Sequence, residues 1–207
     1  MCKEVVTKIR SEQSEYTVEN VYNAANIILN SYNKSRDNGC FEPNKKEVKV
    51  VKIAINMGFS IYQFSLPKEV GGCIMINEDL IKRLGSDKVI IVNQNAQGNQ
   101  KRFVIAHELG NYLFNFRNTI KDSSYENIST YQTMFEYDST SQKPEEALAN
   151  RFAAELLMPK ELFVEEFKKA IVQWGKVYYD VATELSTVFN VPIKSVFKRM
   201  EQLYLYL

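Results

Sequence analysis

The chain has 207 residues, 45% of them hydrophobic, which is enough to bury a substantial core and reads as one folded domain with at most a small appendage. Its 26 basic and 25 acidic residues nearly cancel, so global charge gives no reason to expect a nucleic-acid wrapper or a protein drawn to an anionic membrane. A single histidine excludes any site with two or three histidine ligands within one chain, and the lack of a long apolar run or an apolar signal core predicts a cytoplasmic protein with no membrane contact.

Residues 1–16 are polar and unpatterned and read as a flexible N-terminus. From Thr17, a candidate N-cap, "TVENVYNAANIILNSY" places Val18, Val21, Tyr22, Ala25, Ile28 and Leu29 at helical spacing. After a turn at Asp37-Asn38-Gly39, Val48, Val51, Ile55 and Phe59 predict a second helix, with Gly58 as its stop. "FSIYQFSL", "GGCIMIN" and "KVIIVNQN" read as three short strands. The next helix, from Asn99 to Phe116, carries apolar residues around most of its circumference and should be buried. Residues 117–143 are polar and rich in Ser, Thr, Asn and Tyr, and connections this long are uncommon in compact domains unless they are functional or disordered. Pro144 then opens "PEEALANRFAAELLMP", which stops at Pro159. A helix around residues 160–179 and a final pair separated by Val191-Pro192 complete the chain. Cys2, Cys40 and Cys73 are too scattered for a disulfide framework or a zinc knuckle.

The chemistry concentrates in "RFVIAHELGNYLFNF", where His107-Glu108-Leu109-Gly110-Asn111 echoes the His-Glu-x-x-His helix of zinc hydrolases. Residues one helical turn apart share a face, so His107 and Asn111 can address one metal ion while Glu108 leans toward a water beside it. A catalytic zinc takes three protein ligands and leaves a fourth position to water. Glu146 and Asn150 are likewise one turn apart, a pairing suited to a carboxylate ligand followed by an amide that orients a histidine. The two helices are expected to face each other across a cleft.

The combination of "RFVIAHELGNYLF" and "EEALANRFAAELLMP", with "VIIVN" just upstream, resembles the ImmA/IrrE family of zincin-like regulatory peptidases. The resemblance implies an α+β zincin-like fold in which a small three-stranded sheet packs on helices, spanning residues 17–163, with a helical C-terminal extension over 164–207. It implies zinc as cofactor and a helix-turn-helix repressor as the cleaved partner. Carried over by position, His107 is the first zinc ligand, Glu108 the general base, Glu146 the third ligand and Asn150 its polar companion. Asn111 is the departure, because the family has its second histidine there.

An asparagine offers only a neutral carbonyl oxygen, a weak donor to zinc. Structural zinc sites gain roughly 10–16 kcal/mol over four ligands, so losing one costs on the order of 3 kcal/mol. Without a metal-bound water, Glu108 has no strong nucleophile to deprotonate. Read structurally, His107 becomes a hydrogen-bonded core histidine, Glu108 a carboxylate paired with a donor such as Asn111, and Glu146, or Glu145 in its place, a solvated or helix-capping charge. The expectation is a regulatory member of the family with impaired catalysis and retained binding of a protein partner. Aromatic residues Tyr125, Tyr131, Phe135 and Tyr137 of the long polar segment suit such contacts. The alternatives are an active zinc endopeptidase with a non-standard ligand, and DNA binding through the last two helices. For the latter, Lys194, Lys198 and Arg199 are a thin basic set, and the tail is expected to pack on the core instead.

Overall fold

The structure, a computed structural model, describes residues 9, 17–33, 41, 45–114, 127–132, 144–174 and 177–206. The expectation of a flexible segment at residues 1–16 therefore falls outside the described residues, apart from Ile9, which is buried in the core.

Helix α1 spans Val18–Asn33 and begins where Thr17 Oγ1 accepts the backbone N–H of Asn20 at 3.2 Å, an N-terminal cap. Its buried residues Val21, Ala24, Ala25, Ile28, Leu29 and Tyr32 form one stripe at helical spacing. Helix α2, Val50–Asn56, is shorter than its apolar pattern predicts, and the chain turns at Gly58 with φ +88°, a conformation only glycine adopts without strain. The three predicted strands follow as β1 (Ser60–Phe64), β2 (Val70–Ile76) and β3 (Lys88–Asn93). A five-residue helix, α3 (Leu80–Leu84), closes the β2–β3 connection and ends at Gly85, φ +73°.

Four strands make the sheet, in the order β1-β3-β2-β4. The fourth, β4 (Asn127–Gln132), comes from the segment that reads as a loop. Its sequence, Asn-Ile-Ser-Thr-Tyr-Gln, has no apolar run to announce a strand, and it is recruited by backbone pairing with β2. β1 pairs parallel with β3, whereas β2 runs antiparallel to both β3 and β4. Asn93, at the end of β3, ties down the β1–β2 turn by donating from Nδ2 to the carbonyls of Leu66, Pro67 and Val70 at 2.9–3.2 Å.

The central helix α4 (Gly98–Phe114) has every residue from Val104 to Phe114 buried. It packs on the sheet on one side and on helix α5 (Pro144–Leu157) on the other. Helix α6 (Lys160–Trp174) stops before Tyr178, where α7 (Tyr178–Phe189) starts, so the single helix expected over 160–179 is two elements. Helix α8 (Ile193–Gln202) completes the chain. The tail shares the main core: Phe163 stacks on Phe189 with ring centroids 5.5 Å apart, and Val181, Leu185, Val196 and Met200 are fully buried. Arg102, on the first turns of α4, reaches the α7–α8 turn by donating from Nε to the Asn190 carbonyl at 3.1 Å, while its Nη1 pairs with Glu47 at 2.8 Å. Of the three basic tail residues, Arg199 points inward and pairs with Glu155, and Lys198 pairs with Glu201 at 2.7 Å. The basic surface that a DNA reading requires is thereby reduced.

No helix among the described residues is long and apolar enough to cross a membrane.

Candidate active site

The site forms where α4 and α5 cross at close range; one glycine sets that distance and a second seats α4 on the sheet. A Cβ at position 110 would lie 2.9 Å from the Ala149 Cα and 3.1 Å from the Ala149 carbonyl oxygen, so Gly110 lets the two helix backbones touch. On the opposite side of α4, a Cβ at position 72 would come within 2.5 Å of Val104 Cγ1 and of the Ile91 oxygen, so Gly72 lets the helix settle onto the sheet. The helix is clamped from both sides. A Gly110→Ala substitution should cost about 1–3 kcal/mol through overpacking and push α5 off α4. Urea unfolding measures the first effect. The second is read from the ring signals of the chain's single histidine, which should change if its contacts to α5 are lost and stay put if the helices absorb the methyl group.

Across this contact the structure brings together the residues predicted from sequence. His107 is fully buried, with Nδ1 3.0 Å from Asn150 Oδ1 and Nε2 3.0 Å from Glu146 Oε2. Asn150 presents its oxygen, which places the ring proton on Nδ1. The Glu146 approach is close but not aligned as a hydrogen bond. A nitrogen and a carboxylate oxygen at that separation converge on one point, where both can donate to a single cation. Glu146, one-third exposed (32%), forms the rim of the site, and His107 forms its floor.

Glu108 and Asn111 are also fully buried. Asn111 Nδ2 donates to Glu108 Oε2 at 3.2 Å, and Glu108 Oε1 accepts no hydrogen bond among the described residues. Burial pushes the Glu108 carboxyl up to about 8, the Asn111 amide pulls it back, and the nearby Glu146 charge adds to the rise. In the metal-free protein, Glu108 holds a proton that the unfolded chain has lost once pH exceeds the ordinary value of 4.5. The folded state should therefore lose stability as pH climbs from about 4.5 to about 8, and no further above that. A Glu108→Gln variant removes this dependence. Melting temperatures of the two proteins should diverge from about pH 5 to about pH 8 in favour of the variant, and parallel curves would show that Glu108 ionises like an exposed carboxylate.

A three-ligand zinc centre needs a third strong donor beside His107 Nε2 and Glu146 Oε2. Asn111 stands in its place, with its amide nitrogen turned to Glu108. Among the described residues, no group of three His, Cys, Asp or Glu side chains could hold a metal ion. Cys73, half-buried on β2, belongs to no such group, and burial, then the nearby Glu108 charge, push its thiol up to about 11. The described residues alone do not fit a three-ligand zinc centre. Cys2, Cys40, the Glu145 side chain and the side chains of Tyr125, Tyr131, Phe135 and Tyr137 lie outside the described residues.

Sequence reasoning missed Gly110, Gly72 and Ala149, which set the helix spacing. The close packing of small residues on α4 and α5 was the available signal, since glycine inside a helix otherwise only weakens it.

An α+β fold whose buried His-Glu helix faces a Glu/Asn pair on a neighbouring helix defines the scaffold of a zincin-like metallopeptidase. Residues 71–201 match the family model Peptidase_M78, the IrrE N-terminal-like domain, and the chain belongs to that family. No curated protein matches the chain.

Proposed function

We propose that this protein is a regulatory member of the family that holds a protein partner, a helix-turn-helix repressor, at the surface beside the α4–α5 site, where Glu146 forms the rim, with its peptidase chemistry impaired. The observation that carries this reading is the Asn111–Glu108 hydrogen bond: the second-ligand position donates to the residue that should act as base. The rest of the scaffold is kept, including the His107–Asn150 and His107–Glu146 contacts, and a retained scaffold with a muted centre suits capture better than turnover.

The test is to incubate the purified protein with a panel of helix-turn-helix repressors, with and without added zinc, following complex formation by size exclusion and cleavage by intact mass. A stable complex with an uncut repressor supports capture. Efficient cleavage by the parent protein overturns it in favour of the second reading, an active zinc endopeptidase with a non-standard ligand. That alternative draws on the 3.0 Å convergence of His107 Nε2 and Glu146 Oε2, which is already a two-donor arrangement.

A further inference from the structure

Away from the α4–α5 contact, α1, α5 and α8 leave a groove of about 430 Å³ between them, which also takes in Lys160 at the start of α6. Arg151 and Glu155, one turn apart on α5, line it, whereas Glu146 and Asn150 occupy the face of that helix that meets His107. Val18, Val21 and Leu203 supply apolar wall. Proteins hold small molecules in cavities of roughly 300–1,000 Å³, with mostly apolar walls and a few charged groups that fix orientation.

The charges of the groove do not balance. Among the described residues its lining has three cationic side chains, Arg151, Lys160 and Arg199, against two carboxylates, Glu19 and Glu155. Glu155 is already committed, because Arg199 pairs with it and the Lys160 N–H donates to its Oε1 at 3.1 Å. Glu161, next to Lys160, accepts the Tyr22 hydroxyl at 2.7 Å. Glu19 is exposed on the first turn of α1. The side chains of Arg151, half-buried, and Lys160 make no hydrogen bond or ion pair among the described residues. Arg151 also lies near a like charge. Burial holds the Arg199 guanidinium below its ordinary pKa, Glu155 pulls it back up, and the Arg151 charge lowers it again. Two guanidinium groups beside one committed carboxylate leave surplus positive charge in a partly desolvated groove, and a second anion would relieve it.

We infer that this groove is a binding site for a small organic anion, an apolar body ending in a phosphate or carboxylate, held by Arg151 and Lys160 with its apolar part against Val18, Val21 and Leu203. The two cations suit such a group, since a guanidinium offers paired N–H donors and an ammonium a point charge. The site goes beyond the capture reading and does not rest on it. Its ligand would bridge α1, α5 and α8, and because Arg151 follows Asn150 directly it would bear on the helix that orients His107.

The probes are phenyl phosphate and phenylacetate, with benzyl alcohol as the neutral counterpart and inorganic phosphate as the anion without an apolar body. Each is titrated into the isotopically labelled full chain and followed by NMR. A fragment of about ten non-hydrogen atoms reaches a dissociation constant of about 1 mM at ordinary ligand efficiency, so titration to about 10 mM covers the range. At least one organic anion should shift the Tyr22 ring and Val21 methyl signals and raise the melting temperature, with both control compounds at least about tenfold weaker. The ratio of the two organic anions tells phosphate from carboxylate. Arg151→Gln should abolish the response yet leave the free protein at least as stable as the parent, because it removes the charge beside Arg199. Lys160→Gln should weaken binding, and Arg151→Lys should keep part of it. No shift with either organic anion, shifts that survive in both glutamine variants, or an equal response to benzyl alcohol overturns the inference. His107 ring signals that move with the same midpoint show that the ligand reaches the α4–α5 centre; if they stay still while the groove signals move, the site stands and that link fails. No readout involves a repressor, so failure of the capture reading leaves these results as they are.

Discussion

Asn111→His is expected to raise zinc affinity sharply and give a protein that binds a single zinc ion tightly. The substitution adds a neutral imidazole one turn from His107, on the face that already brings His107 Nε2 within 3.0 Å of Glu146 Oε2. It also removes the amide that donates to Glu108 Oε2, freeing that carboxylate toward the same space. One good ligand is worth on the order of 3 kcal/mol of a zinc site, so affinity should rise by at least about a hundredfold. Metal analysis of the purified proteins, followed by competition with a chromophoric chelator, measures both stoichiometry and affinity. If the parent already carries one tight zinc, the argument from Asn111 is wrong and a ligand outside the described residues must complete the centre.

Arg199→Ala should be among the most destabilising single substitutions outside the hydrophobic core, at about 3–5 kcal/mol. Arg199 and Glu155 have side chains only 3% and 6% exposed and pair directly, joining α8 to α5. Neither is held by the pair alone: Arg199 Nε donates to the Met158 carbonyl at 3.0 Å, and Glu155 Oε1 accepts the Lys160 N–H at 3.1 Å at the start of α6. Removing the guanidinium strands a buried carboxylate at the junction of three helices. The double variant Glu155→Gln, Arg199→Met should recover part of the loss, because it removes the orphaned charge. Urea unfolding of the parent, the single and the double variants decides the matter, and a loss below about 1 kcal/mol for Arg199→Ala would show that water reaches the pair. Since Glu155 shares α5 with Glu146 and Asn150, the single variant should also broaden the His107 ring signals if the tail steadies the site.

The elements that carry chemistry were legible because their patterns are local. His107 and Glu108 sit on a long apolar helix, and Glu146 and Asn150 repeat the one-turn spacing on another, so their meeting required only that two helices face each other. The Asn111–Glu108 contact was legible for the same reason, as neighbours on one turn. What could not be read depends on partners remote in sequence. β4 has strand-favouring Ile128, Thr130 and Tyr131 but no apolar run to mark it off from the polar segment around it, and its place is set by pairing with β2. The break between α6 and α7 is hidden by apolar residues such as Val172, Trp174 and Val177 that continue the pattern, although the fold leaves all three exposed. Arg199 reads as a surface charge on a basic helix, and only the distant Glu155 explains why it is buried.

The near-completeness of the centre has an evolutionary side. Asparagine and histidine codons differ at a single base, so the scaffold that holds His107, Glu146 and Asn150 in register stands one nucleotide change from a full ligand set. Gly110 and Ala149 keep the helices at the spacing that set would use, whichever residue occupies position 111. On the reading proposed above, silent and active forms of the same architecture would be separated by very little sequence distance, because the packing of α4 on α5 does not depend on residue 111.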